Sequence, residues 1–230
     1  MPSKSSSPSH LLVSILRLDA SLGTGDGTVR RIGVLGGAFD PPHLAHQTLA
    51  RSAVAQLGLD TLHIVPTGQA VHRPGPLTSA QHRLSMVQLA FADLASAAVD
   101  DRETTRSGPS YTIDTLHEIM ALWPGCQLFL ILGADQARVL HRWKAYQDII
   151  GLATICFADR ACSVGDGCDR ADAPTAVQTA IRQVHLQMPM LPISATDIRT
   201  LIAAGADVTA MIHPQVARYI AHHHLYTTIQ

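Results

Sequence analysis

The chain has 230 residues, 47% of them hydrophobic and 15% charged, with a formal net charge of −1. That length carries one sizeable α/β core, and the near-neutral charge argues against a nucleic-acid or anionic-membrane partner. No apolar run in the sequence approaches the ~20 residues needed to span a bilayer.

Residues 1–28 are rich in Ser and Gly and are expected to be a disordered N-terminal extension, leaving 29–230 as a single domain. From Arg30 onward, short apolar runs alternate with longer helix-like stretches. Strands are predicted at 31–36, 61–66, 97–101, 127–132, 152–158 and 184–188. Helices are predicted at 43–57, 78–94, 112–122, 134–149 with a break, 175–183, 195–204 and 214–223. This alternation predicts an α/β fold: a doubly wound, mostly parallel sheet with helices on both faces. Such sheets bind ligands beyond the carboxyl ends of their strands, at the switch point. Two strand ends run into glycine and then reactive residues, at Gly36-Gly37 and Gly133-Ala134-Asp135. They are expected side by side.

The stretch from Arg31 to His46 is the most informative. An apolar strand ends in Gly36-Gly37, Ala38 and Phe39 follow, and Pro41 and Pro42 set φ where a helix begins. His43 and His46 are three apart and share one helix face. Gly58 suits the C-cap of that helix. Glycines admit close approach of backbone N–H groups to an anion, and the helix N-terminus adds a positive partial charge. The stretch therefore reads as a phosphate cradle. It is neither a phosphate loop ending in Lys-Ser/Thr nor a GxGxxG fingerprint. Phosphates beside the two imidazoles would favour their charged forms.

A second cradle is expected near the other end of the chain, at Ile193-Ser194-Ala195-Thr196-Asp197-Ile198-Arg199. Ser194 is a good N-cap, and Arg199 is close enough to fold back over the first turns. Three further groups carry polar side chains at element ends. Val65-Pro66-Thr67-Gly68-Gln69-Ala70-Val71-His72-Arg73 follows a strand and suits a substrate lid, with His72 and Arg73 within reach of phosphates. In Gly108-Pro109-Ser110-Tyr111-Thr112-Ile113-Asp114, Ser110 or Thr112 is expected to cap a helix, and Asp114 suits its first turn. Gly133-Ala134-Asp135-Gln136 places a carboxylate at a strand end to accept bonds from sugar or base, and Arg160 follows the next strand.

The first two motifs resemble the signatures of the nucleotidyltransferase superfamily, Gly-x-Phe-x-Pro-x-His-x-Gly-His and Ile-Ser-x-Thr-x-Ile-Arg. Ala45 replaces one glycine of the first, and the second is intact. The lid and the Ser110-Tyr111-Thr112 segment narrow the resemblance to the nicotinate-nucleotide adenylyltransferase family, over about residues 30–226. The lid departs from that family's Pro-Pro-His-Lys at Ala70-Val71 and at Arg73. The resemblance implies a Rossmann-like fold and adenylyl transfer from ATP to nicotinate mononucleotide, with Mg2+ accompanying ATP. It implies that His43, His46 and Arg199 act on the phosphates. Gly36, Gly37, Ala38, Phe39, Gly133, Asp135, Ser194 and Thr196 would join them in holding ATP. Thr67, His72, Arg73, Tyr111, Thr112, Asp114, Trp143 and Arg160 would face the acceptor, with Trp143 either stacking on its pyridine ring or packing in the core. Two alternatives stay open: transfer to another phosphate such as nicotinamide mononucleotide or phosphopantetheine, and a nucleotide-binding regulator without catalysis.

Cys126, Cys156, Cys162 and Cys168 form no CxxC pair and are expected as free thiols in a reducing cytoplasm, not as a metal site. His222-His223-His224 points in three directions on a helix and reads as a solvated face.

Overall fold

A computed structural model describes residues 29–69, 78–158 and 182–227. Six strands are present: β1 (Arg31–Gly37), β2 (Thr61–Pro66), β3 (Ala97–Val99), β4 (Gln127–Leu132), β5 (Ala153–Ala158) and β6 (Gln183–Leu186). They form one sheet in the order β3-β2-β1-β4-β5-β6, and every neighbouring pair is parallel. Parallel strands are covered on both faces, and every residue of β2 is buried accordingly.

Helices α1 (Leu44–Leu57), α2 (Ala80–Phe91), α3 (Arg102–Thr105), α4 (Thr112–Leu122), α5 (Ala134–Val139), α6 (Tyr146–Leu152), α7 (Ala195–Ala203) and α8 (Pro214–His222) pack around the sheet. Alternation along the strands divides the core into two layers. Leu35, Phe129 and Ile131 join Ala53 of α1, Met86 of α2, Ile198 of α7 and Val216 of α8 in one. Ile32, Val34, Leu128 and Leu130 join Leu116 of α4 and Ile149 of α6 in the other. Gly33 is needed where α1 returns to the sheet, because a Cβ there would sit 2.5 Å from a methyl of Leu59. The doubly wound sheet with helices on both faces is as expected.

Several boundaries differ from expectation. The strand expected over 97–101 stops at Val99, because Asp100 turns its carboxylate to His63 of β2 at 2.8 Å and to Arg102 at 2.6 Å. The short helix α3 follows there, where none was expected. The helix expected over 134–149 is broken as foreseen, by a 3-10 turn at Leu140–Arg142 and by Ala145 at φ 53°. Most of the helix expected over 175–183 lies outside the described residues, and Gln183 belongs to β6.

Candidate active site

Strand order reverses between β1 and β4, so the loops leaving those neighbours diverge to opposite faces and open a crevice. Gly36-Gly37 and Gly133 stand side by side there, as the sequence predicts. A cavity of about 820 Å3 occupies this edge.

On one side of the cavity, β1 runs into the turn before α1. The site where Gly36 would carry a Cβ has nothing within 4 Å, so the backbone there faces open space. Phe39 adopts φ 48°, a conformation uncommon outside glycine, and is only 1% exposed. It packs edge-on against the His46 ring at 5.0 Å and Phe91 at 6.2 Å, so it supports the imidazole wall from behind. His43, the expected first residue of the helix, is instead the N-cap of α1, which starts one residue later, and Gly58 closes the helix in the left-handed conformation. The rings of His43 and His46 stack with centroids 3.7 Å apart. The His43 backbone N–H donates to His46 Nδ1 at 3.2 Å, which assigns the His46 proton to Nε2. Burial holds the His43 pKa down at about 4. Burial and the neighbouring His43 hold His46 well below its ordinary value. In the chain by itself both rings are therefore neutral donors at neutral pH, and a phosphate beside them would act in the opposite direction.

The second cradle meets the first. Ser194 caps α7, its Oγ accepting from the Asp197 N–H at 3.1 Å, as expected. Arg199 folds back and donates from Nη1 to the Asp40 carbonyl at 2.7 Å and from Nη2 to Thr196 Oγ1 at 3.2 Å. Asp40 precedes His43 by three residues, so the two motifs close on one crevice. Ser194 and Thr196 line the cavity with Gly133 and Asp135, whose Oδ2 accepts from Gln136 at 2.9 Å.

Thr67, Tyr111, Thr112 and Trp143 line the cavity as well. Neither Ser110 nor Thr112 caps α4: Tyr111 is the N-cap, with no side-chain bond. The Ser110 hydroxyl instead accepts from the Gly68 N–H at 3.2 Å, and the Ser110 N–H donates to the Gln69 carbonyl at 3.1 Å. That stitch fastens the loop after β2 to the segment before α4. Asp114 does sit in the first turn of α4, but it is not among the lining residues and its carboxylate faces Lys144 at 3.8 Å. His72, Arg73 and Arg160 lie outside the described residues.

Four residues matter that sequence reasoning gave no role. Arg83 of α2, 1% exposed, donates to the carbonyls of Thr78 at 2.9 Å, Ala38 at 2.9 Å, Thr67 at 2.7 Å and Gly68 at 3.4 Å. It thus ties the loop after β1 to the loop after β2. Tyr226 donates from its hydroxyl to Asp40 Oδ1 at 2.7 Å. Burial pushes the phenol pKa up and keeps it a donor. Glu103, buried in the cavity wall, accepts from Thr115 Oγ1 at 2.7 Å, and burial raises its pKa. Lys144 lines the cavity beside Trp143. A detectable signal existed for one of them: Arg83 shares helical spacing with Met86, Val87 and Ala90 and so had to be buried.

A cytidylyltransferase-like family model matches residues 34–201. A protein of Albidiferax ferrireducens, named "Probable nicotinate-nucleotide adenylyltransferase", is 54% identical over 200 residues, 87% of this chain and 100% of that protein. This chain belongs to the nicotinate-nucleotide adenylyltransferase family. A member from Methylibium petroleiphilum bearing the same name is 40% identical over 86% of this chain and 92% of its own length. In fold, the chain is similar to the Plasmodium falciparum nicotinic acid mononucleotide adenylyltransferase complexed with NaAD. The TM-score is 0.70 at 20% identity, over 86% of this chain and 97% of that one. The two motifs that resemble the superfamily's signatures are thus the ones that converge on the cavity.

Proposed function

We propose that this chain transfers the adenylyl group of ATP to nicotinate mononucleotide, giving nicotinate adenine dinucleotide and pyrophosphate. The observation that carries the reading is the 2.7 Å bond from Arg199 to the Asp40 carbonyl, which brings both phosphate motifs to one cavity. The relatives' names supply the acceptor.

A phosphate oxygen of the mononucleotide attacks the α-phosphorus, and the bond from that phosphorus to pyrophosphate breaks. The second pKa of a phosphate monoester is about 6, so the nucleophile is already ionised and no general base is required. The chain's task is alignment and relief of negative charge. His46 Nε2–H, the backbone N–H groups of the Gly36-Gly37 turn and the Arg199 guanidinium supply donors for the triphosphate. Among the described residues, no cluster of His, Cys, Asp and Glu is arranged to hold a metal ion. That donor set, of imidazoles, backbone N–H groups and a guanidinium, suits a Mg2+ held mainly by ATP's own oxygens and water. The ion would neutralise charge on the departing pyrophosphate.

The setting is cytoplasmic in this reading, supported by the free thiols of Cys126 and Cys156. Among the described residues, no helix is long and apolar enough to cross a membrane.

The test is pyrophosphate release with ATP and Mg2+ across nicotinate mononucleotide, nicotinamide mononucleotide and phosphopantetheine. Nicotinate mononucleotide should be converted with the highest kcat/KM, and chelation of Mg2+ should abolish release. ATP binding without pyrophosphate from any acceptor would instead mark a nucleotide-binding regulator.

A further inference from the structure

The geometry points to Tyr226 as a positioning residue for the transfer: its hydroxyl holds the Asp40 carboxylate away from Arg199, so that the guanidinium is kept for phosphate. The inference rests on the adenylyl-transfer reading above. Arg199 bonds the Asp40 carbonyl at 2.7 Å and Thr196 Oγ1 at 3.2 Å, and both partner residues line the cavity. A guanidinium carries about five N–H donors, so donors remain for a ligand. What competes for them is the carboxylate of Asp40 itself. Only Cα and Cβ separate it from the carbonyl that Arg199 already holds, and a carboxylate is the strongest protein partner a guanidinium finds.

Asp40 is 3% exposed, and a buried carboxylate demands donors. Among the described residues, Oδ1 accepts from the Tyr226 hydroxyl at 2.7 Å and Oδ2 from the Thr78 N–H at 3.4 Å. The second bond is long, so the first holds the carboxylate in place. The chain takes an uncommon path to deliver that hydroxyl across 186 positions of sequence. After α8, His224 stands at φ 51° and Tyr226 at φ 64°, left-handed conformations that side chains of this size seldom adopt. The Tyr226 ring packs against the core layer that contains Met86 and Val216, and its hydroxyl lies 4.0 Å from Met86 Sδ. Packing thus fixes the ring, and burial keeps the phenol protonated as a donor. Without the hydroxyl, the carboxylate loses its short bond. The guanidinium already bonded to the same residue is then the donor it turns to, and that pairing withdraws Arg199 from the triphosphate.

The experiment measures kcat for pyrophosphate release, with saturating ATP and nicotinate mononucleotide, in three variants. They are Tyr226→Phe, Tyr226→Phe with Asp40→Asn, and Tyr226→Phe with Arg199→Ala, the last read against Arg199→Ala alone. Phenylalanine keeps the packed ring, and thermal unfolding confirms the fold of each. Tyr226→Phe should lower kcat about tenfold. Adding Asp40→Asn should restore most of that loss, because an amide competes weakly for a guanidinium. In the Arg199→Ala background the tyrosine change should lower kcat by less than about twofold. A merely structural role would make the Asp40 double variant worse and would lower kcat equally in the Arg199→Ala background; either result would overturn the inference. So would a kcat within about threefold of native in folded Tyr226→Phe. If the native chain released no pyrophosphate with any acceptor, the adenylyl-transfer reading itself would fail; if it did and kcat survived in Tyr226→Phe, the role of Tyr226 alone would fail.

Discussion

Arg83 shows how much one buried side chain can hold. Its guanidinium serves carbonyls at Ala38, Thr67 and Thr78, three points that a single ammonium cannot reach together. Arg83→Lys should therefore cost about 2–3 kcal/mol of stability, measured by urea unfolding. Loss below ~0.5 kcal/mol would show the carbonyls finding other donors. The imidazoles make a separate prediction. Burial holds the His43 pKa at about 4 in the folded chain, against an ordinary value of about 6.5. Between those values the unfolded chain binds a proton that the folded chain refuses. The stability it contributes is thus complete above pH 6.5 and falls as pH drops toward 4, by up to about 3 kcal/mol. His46 acts in the same direction. Unfolding followed from pH 7.5 to pH 5 should show a smaller pH loss in His43→Gln than in the native chain. The residue types of this wall were legible in the sequence, because glycines, prolines and paired histidines coincide in one stretch. Their protonation was not, since it depends on a ring stack and on Phe39 packed behind it, both set by tertiary contacts.

Among the elements, the parallel strands and their helices were legible because buried strands and amphipathic helices differ in apolar spacing. The boundaries that moved did so through distant partners. β3 ends early because Asp100 pairs with His63 on the neighbouring strand and with Arg102, and no local spacing reports such a pair. The caps divide in the same way. Ser194 caps α7 as expected, whereas Ser110 abandons α4 to bind the Gly68 N–H. That stitch depends on a glycine: a Cβ on Gly68 would run into the Glu103 carbonyl oxygen and come within 2.9 Å of Ser110 Oγ. Gly68→Ala should displace the loop after β2 from the segment before α4. Steady-state kinetics should then show KM for the acceptor raised about tenfold or more, with KM for ATP little changed. Equal rises for both substrates would place the damage elsewhere.

At the scale of the whole molecule, the two ends of the domain are joined at Asp40. Its carbonyl accepts from Arg199 of α7, and its carboxylate accepts from Tyr226 beyond α8. The sequence showed both motifs and implied their meeting, but nothing in it singled out Asp40 as the junction. The account requires His46 and Arg199 to stabilise the same developing charge from opposite ends of the chain. Removing one such donor costs roughly 2.7–4 kcal/mol of barrier, a hundredfold or more in turnover. The most direct measurement is kcat for pyrophosphate release, with saturating ATP and nicotinate mononucleotide, in folded His46→Ala, Arg199→Ala and the double variant. The account predicts a loss of about a hundredfold or more in each single variant, and a combined loss well short of their product. Near-native turnover in either single variant, or losses that simply multiply in the double, would contradict it.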